Sequence, residues 1–455
     1  MVALQQLGGA PKEMAKGGKK LAVGFTGSGP ALAALPEGDF LSALGLGAGG
    51  WQRREKTHCD KAGAEGGARA PFVVIKTDRW SSEFTFRTSI LKLTIDLSQA
   101  AVSGREISLA GAQLKLTSGA PADLFSAAKL FIANAPLRLE TRSRQETAKA
   151  ALAPSQSTVP ARQTLAITGD AAAGDVLRLA LLASAGRIIA AQPAILEARA
   201  PEGLRRMRAE LRRLRAMERL YRGYVSGSSL RRLALQARMI SRALAPARNW
   251  DVFLDQILPL ARQDNYAKRG FARLEAAAQA QRAQSWAAAM TPIASRDFSL
   301  FGLDLLAAAH LQPWRTRALE QSARILAPKM LNKARRRTRK TAKATDFSDP
   351  VAMHPLRLAL KKQRYAAQLF CGLYPKATRK AYMNAMASLQ DRLGGVNDAA
   401  MALRLADQAG EGAGKRAMRA AGFVSGYSAA QTQAGAQEIT ADWAAFEKIA
   451  PFWRP

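Results

Sequence analysis

Apolar positions along the chain follow two periods, and the change between them divides it. From residue 71 to about 118 they recur at every second position in short runs. Phe72 and Val74 make the first, and Phe84 and Phe86 the next. Then Leu91, Leu93, Ile95 and Leu97 alternate with Lys92, Thr94 and Asp96, and Leu114 and Leu116 flank Lys115. Period 2 predicts strands that bury one face. Gly104 and Ser118-Gly119 punctuate these runs. Leu124, Phe125, Ala128 and Phe131 then repeat at helical spacing, with Pro121 before them and Asp123 in the first turn, so a helix is predicted over 121–133. Strands followed by a helix make a small α+β unit.

Beyond residue 172 the period becomes helical. Amphipathic helices are predicted over 175–191, 202–224, 229–244, 250–260, 266–290, 300–308, 315–337, 355–373, 378–393 and 398–409. Strand signals are nearly absent, so this part reads as an all-α domain packed like a bundle. Residues 1–70 are rich in Gly and Ala with little periodicity, and are expected to be disordered or poorly packed. The expected organisation is multidomain: 1–70, an α+β unit at 71–155, a linker at 156–171, and an all-α domain at 172–455.

Charge changes the picture most. Lys and Arg number 68 against 35 Asp and Glu, a formal net charge of +33 in 455 residues. Such an excess implies a polyanionic partner. Two cysteines, Cys59 and Cys371, make no disulfide framework, which suits a reducing compartment. No run of about 18 uncharged apolar residues predicts a membrane span. The mildly apolar stretch after Lys16, Lys19 and Lys20 is interrupted by glycines and Pro30, unlike a signal peptide. A cytoplasmic protein is therefore expected. His58 and Cys59 have no second Cys/His pair nearby and read as a loop without metal.

The charge concentrates on particular helix faces. His354, Arg357, Lys361 and Arg364 lie at i, i+3, i+7 and i+10, one stripe on a helix, while Leu356, Leu360 and Leu369 take another face. No acidic residue interrupts the stripe. A solvated face usually mixes signs, because opposite charges at i,i+4 help the helix. Shifting the chain by 149 residues places Arg208 on Arg357, Leu211 on Leu360, Arg212 on Lys361, Arg213 on Lys362 and Arg215 on Arg364. The register persists where 244–249 meets 393–398. Two copies of one helical unit are predicted, at about 172–310 and 311–455. Their stripes, Arg205, Arg208, Arg212 and Arg215 in one and His354, Arg357, Lys361 and Arg364 in the other, can line one surface. The helix between them offers Lys329, Lys333, Arg336 and Lys340 on one face.

The twin pattern resembles the CHAD domain, the conserved histidine α-helical domain, whose motifs read approximately His-x-x-Arg-x-x-x-Lys/Arg-Lys/Arg-x-Arg. The second copy fits at His354, Arg357, Lys361, Lys362 and Arg364; the first fits at Arg208, Arg212, Arg213 and Arg215, with Arg205 at the histidine place. Residues 247–252 and the stretch from Leu389 to Asp398 also resemble that family. The resemblance implies inorganic polyphosphate held in a basic groove between two helical halves. The site it implies is Arg205, Arg208, Arg212, Arg213, Arg215, Lys329, Lys333, Arg336, His354, Arg357, Lys361, Lys362 and Arg364. Arg in place of His in one copy favours an anion contact over proton transfer. Asn397, Asp398 and Asp251 fall at predicted helix starts and read as caps. Tyr365 reads as core, and His310 as a helix-end residue.

Residues 70–155 resemble the second half of a CYTH domain, the β-tunnel of triphosphatases, at 72–79, 91–97, 114–119 and Arg142-Ser143-Arg144. That family places metal-binding glutamates on alternate positions of a late strand, where this chain has Gln113 and Lys115. Its opening Glu-x-Glu-x-Lys strand is absent before residue 70. Arg87, Lys115, Arg142 and Arg144 remain candidate phosphate contacts. The reading is a non-catalytic polyphosphate-binding protein without a cofactor, targeted to polyphosphate-rich granules. The alternatives are a metal-dependent inorganic triphosphatase using Mg or Mn, and general nucleic-acid binding. Oligomeric state is left open.

Overall fold

The computed structural model describes residues 21–26, 41, 50–59, 73–102, 105–142, 146–148, 164–167, 169–263, 268–349 and 351–454. Six strands form one antiparallel sheet: β1 (Ala22–Thr26), β2 (Gln52–Cys59), β3 (Val73–Phe86), β4 (Ser89–Val102), β5 (Arg105–Ser118) and β6 (Arg138–Leu139), in the order β2-β3-β4-β5-β1-β6. β3, β4 and β5 are the strands that the period-2 runs predict. β1 and β2 differ from expectation, since both fall inside 1–70. β1 is too short for its alternation to register locally, and it is held by pairing with β5, where Val23 lies opposite Leu114 and Phe25 opposite Ala112. The predicted positions Phe72, Gly104 and Arg144 lie outside the described residues, as do 1–20, 27–40, 42–49 and 149–163.

The register places Leu93 opposite Leu114 and Ile95 opposite Ala112, so one sheet face is continuously apolar. Helix α1 (Pro121–Asn134) covers it with Leu124, Phe125, Ala128 and Phe131, all buried. Full burial of each large side chain contributes roughly 1.5–3 kcal/mol, so this face fixes the helix. Its N-cap, Ala120, offers no side-chain bond. Instead Ser89 donates to buried Asp123 at 2.7 Å and accepts from the Ala120 N–H at 2.9 Å. Gly119 makes this possible: its φ is +106°, and a Cβ there would collide with Ser89.

Eleven further described helices follow: α2 (Ala173–Leu196), α3 (Pro201–Tyr221), α4 (Ser229–Ala243), α5 (Ala245–Val252), α6 (Leu258–Gln263), α7 (Lys268–Ala294), α8 (Arg296–Leu311), α9 (Ala323–Lys343), α10 (Met353–Phe370), α11 (Lys376–Gly410) and α12 (Lys415–Lys448). A π-helical turn, Phe253–Ile257, joins α5 to α6. α2 is long and apolar enough to cross a membrane, but 72% of its most apolar window is buried within the protein, as in a core helix.

Two helices correct the sequence reading. α11 runs unbroken for 35 residues through Gly394-Gly395, where two helices are predicted. α12 was not anticipated, because its Gly- and Ala-rich stretch carries little amphipathic signal. The two are antiparallel neighbours and explain each other. A Cβ on Gly435 would lie 3.0 Å from Val396, and one on Gly410 would lie 3.0 Å from Ala421. Small residues let the backbones approach along this unbroken helix.

The chain forms two compact units. One comprises Met1–Ala161, Leu181–Met207 and Ile293–Pro313; the other comprises Arg162–Ala180, Arg208–Pro292 and Trp314–Pro455. In the first, Ile189 and Leu303 join the core under the sheet. Gly302 permits the approach, since a Cβ there would lie 2.9 Å from Leu139. Helical pattern alone does not say which surface an apolar helix covers, so 181–207 and 293–313 read as part of the helical domain. The second unit has its own core, with Trp250, Phe253, Phe271 and Leu274 against Met401 and Leu405. Tyr382 packs there among Phe446, Phe452 and Trp453.

Candidate anion-binding site

α3 and α10 are the two basic helices of the repeat. α3 buries Leu204, Met207, Leu211, Leu214, Met217 and Tyr221; α10 buries Met353, Leu356, Leu360, Ala367 and Phe370. Steps of three and four put these on one side of each helix, so the intervening cations share the other. Of the site described below, every residue lies in the second compact unit.

An inner cluster forms from Arg208 and Arg212 of α3, Arg248 of α5, and Arg357 and Lys361 of α10. Arg357, only 14% exposed at its side chain, donates from Nη1 to the Asn397 amide oxygen at 2.9 Å, and its Nη2 lies 3.8 Å from Asp398. Arg208 donates from Nη1 to the carbonyls of Leu244 and Ala245 at 3.1 and 3.0 Å. The Nε atoms of both arginines are buried with no hydrogen-bond partner among the described residues. Arg212 Nε donates to the Tyr365 hydroxyl at 3.3 Å.

Crowding shows in the ionisation of these groups. Burial, joined by the charges of Arg212, Arg248 and Arg357, pushes Arg208 down to about 10. Burial and the charges of Arg357, Arg212 and Arg208 push the Lys361 ammonium down to about 7, with Asp398 opposing. Arg357 is lowered chiefly by burial. The cluster holds more positive charge than its surroundings compensate.

A second cluster adjoins it. Arg215 is lowered by burial and then by Arg219, Arg238, Arg242 and Arg212. Lys362 is lowered by burial and then by Arg219, Arg337 and Arg215. α4 and α9 therefore contribute cations that sequence reasoning left out.

The other predicted residues lie elsewhere or are engaged. Arg205 donates to Glu202 at 2.7 Å, and Arg213 pairs with buried Glu210. Arg364 donates to Gln390 at 3.1 Å. His354 is exposed, with Nδ1 3.2 Å from the same Asn397 oxygen that Arg357 uses. Lys329, Lys333 and Arg336 are exposed on α9, whereas the α9 residue whose charge reaches Lys362 is Arg337. Tyr365 is half-buried between two arginines, with the Arg213 guanidinium 5.5 Å from its ring centroid, and is not core. The structure also moves the expected caps. Asn397 and Asp398 sit inside α11. Asp251, fully buried near the end of α5, accepts from Arg282 at 2.8 Å and from Trp286 at 2.9 Å. Arg248 was visible as the repeat partner of Asn397, and Glu210 as a partner three residues before Arg213.

On the sheet, Arg87 contacts Asp123 at 3.3 Å and Arg142 pairs with Glu140 at 2.8 Å. Lys115 stands opposite Lys92. Among the described residues, no three His, Cys, Asp or Glu side chains group as a metal site.

A family model described as the CHAD domain matches residues 179–407. The chain is similar to the crystal structure of the CHAD domain from the plant Ricinus communis. The identity is 28%, over 64% of this chain and 97% of that chain, with a TM-score of 0.55. It is also similar to PptA from Streptomyces chartreusis, at 17% identity over 60% of this chain and 100% of that chain, with a TM-score of 0.48. No curated protein sequence matches it.

Proposed function

The chain belongs to the CHAD domain family, and from that premise we propose that it binds inorganic polyphosphate, without acting on it chemically, at Arg208, Arg212, Arg357 and Lys361. One observation carries the reading: the buried Nε atoms of Arg208 and Arg357 have no acceptor among the described residues. An unpaired buried donor costs about 1–3 kcal/mol, more when it is charged. A phosphate oxygen supplies an acceptor and a compensating charge together, and guanidinium forks suit it. His354, Lys362 and Arg364 flank the cluster as further contacts.

The ligand is a condensed phosphate because the twin motifs resemble those that hold polyphosphate. Nucleic acid fits less well. Tyr365 carries the Arg213 guanidinium over its ring, so it is not a free platform for a stacked base. This reading locates the protein in the cytoplasm, on polyphosphate-rich granules.

Filter binding of long-chain polyphosphate in competition with DNA, at about physiological ionic strength, tests the reading. Polyphosphate should win, and Arg208→Gln with Arg357→Gln should weaken it by roughly 100-fold or more, from two charged hydrogen bonds at about 1.5–3 kcal/mol each. Equal competition by DNA would remove the reading.

A further inference from the structure

α3 and the residue after it carry eight arginines and three glutamates, and the pairing between them is selective. Glu202 pairs with Arg205 and Arg206, Glu210 with Arg213, and Glu218 with Arg222. Arg208, Arg212, Arg215 and Arg219 are left, at i, i+4, i+7 and i+11, which is one stripe. Glu218 stands three residues after Arg215 but takes Arg222, one turn further along the same face. The glutamates neutralise Arg205 and Arg222, at the two ends of the stripe, and Arg206 and Arg213, off it, and leave the four arginines between charged.

The C-terminal half of that stripe meets other cations. Arg238 and Arg242 of α4 act on Arg215, and Arg337 of α9 and Lys362 of α10 belong to the same group. Among the described residues no carboxylate forms an ion pair with any of these six. Five of them, all but Arg215, are exposed. Four helices thus bring like charges together, which costs free energy in the absence of an anion. Arg212 acts on both Arg208 and Arg215, so no neutral gap separates this group from the inner cluster.

We propose that Arg215, Arg219, Arg238, Arg242, Arg337 and Lys362 form a second phosphate subsite, continuous with the inner one through Arg212, and that the two together select condensed phosphates by chain length. The proposal rests on the polyphosphate reading above. Arg208 to Arg219 spans eleven residues, or about 16 Å along the helix axis at 1.5 Å per residue. Three linked phosphates do not reach that far, so tripolyphosphate occupies the inner cluster alone. A longer chain occupies both. The two subsites differ in kind. Inner contacts are desolvated and strong; outer ones are exposed and screened by salt, acting mainly through counterion release.

Isothermal titration of the full chain with tripolyphosphate and with long-chain polyphosphate tests this. Arg238→Glu with Arg242→Glu should lower long-chain affinity by about tenfold more than tripolyphosphate affinity, because only the long chain loses phosphate contacts. Lys415→Glu with Arg419→Glu, the same charge change at the start of α12, is the control and should weaken neither ligand selectively. Circular dichroism melts show whether each variant is folded. An equal loss for both ligands, no loss, or a loss matched by the α12 variant overturns the second subsite. A folded wild-type protein that binds neither phosphate overturns the polyphosphate reading instead.

Discussion

Arg357 donates to the side-chain oxygen of Asn397 at 2.9 Å, a bond from α10 to the middle of α11. Its repeat counterpart, Arg208, donates to the main-chain carbonyls of Leu244 and Ala245. The difference follows from the backbone. α4 ends at Ala243 and α5 begins at Ala245, and this break turns the Leu244 and Ala245 carbonyls toward Arg208, although Leu244 O also accepts from the Arg248 N–H at 3.4 Å. In the second copy the helix is continuous and its carbonyls are used. Arg357 therefore takes an amide side chain.

That amide is neutral, and the nearest carboxylate, Asp398, stands at 3.8 Å, so the Arg357 charge is only partly compensated before a ligand binds. Asn397→Asp puts a carboxylate against Arg357 and His354. Polyphosphate affinity should fall by about tenfold at low salt and less at high salt, where the added charge is screened. The ligand-free melting temperature should rise as Arg357 gains a closer ionic partner than Asp398, which lies 3.8 Å from its Nη2. Unchanged affinity in a titration would place the ligand elsewhere.

Lys361 should make binding depend on pH. Its ammonium is held at about 7 in the folded protein, against 10.5 ordinarily, by burial and by Arg357, Arg212 and Arg208, with Asp398 opposing. The unfolded chain therefore holds more protons between about pH 7 and 10.5. This group's contribution to ligand-free stability is lowest below pH 7 and improves as pH rises through that window. Binding runs the other way, because the anion needs the charged form. Wild-type affinity should fall as pH rises from about 7 to 9, with proton uptake on binding visible in buffers of different ionisation enthalpy. Lys361→Arg, charged throughout, should lose most of that slope. An equal slope in both proteins would assign it to another group.

Salt should weaken the complex steeply. By analogy with single-stranded nucleic acid, about 0.7 counterions leave per phosphate neutralised. The three phosphates of tripolyphosphate then give a log–log slope of about −2, and long chains a steeper one. Equal slopes for the two ligands would contradict a site of graded length.

Asp251 should behave as structure and not as site. It is fully buried, with Oδ1 accepting from Arg282 and Trp286. Asp251→Ala leaves a buried indole N–H unpaired and should cost about 2–3 kcal/mol in denaturant unfolding. Polyphosphate affinity of the folded variant should stay within about twofold, since no charge of the cluster changes. A large affinity loss with intact stability would reverse this assignment.

The amino-acid sequence by itself determined the elements whose signal is local. Alternation from Phe84 to Leu116 specifies β3, β4 and β5, because one face of each strand must leave water. Apolar spacing specifies α3 and α10, and the 149-residue offset pairs them. The excess of basic over acidic residues predicts a polyanion as partner. Arg208, Arg212, Arg357 and Lys361 were all legible as stripes. Only the tertiary structure decided the rest. It placed Arg238, Arg242, Arg248 and Arg337 beside those stripes and left Lys329, Lys333 and Arg336 exposed on α9, though all look alike as exposed positions on basic helices. It set Asn397, Asp398 and Asp251 inside helices as acceptors for distant arginines and a tryptophan. It recruited β1 to the sheet through β5 and carried α11 unbroken through Gly394-Gly395 beside α12. Periodicity records which face of an element leaves water. The charge that accumulates at one point depends on which helices meet there, and that is set by contacts between residues far apart in the chain.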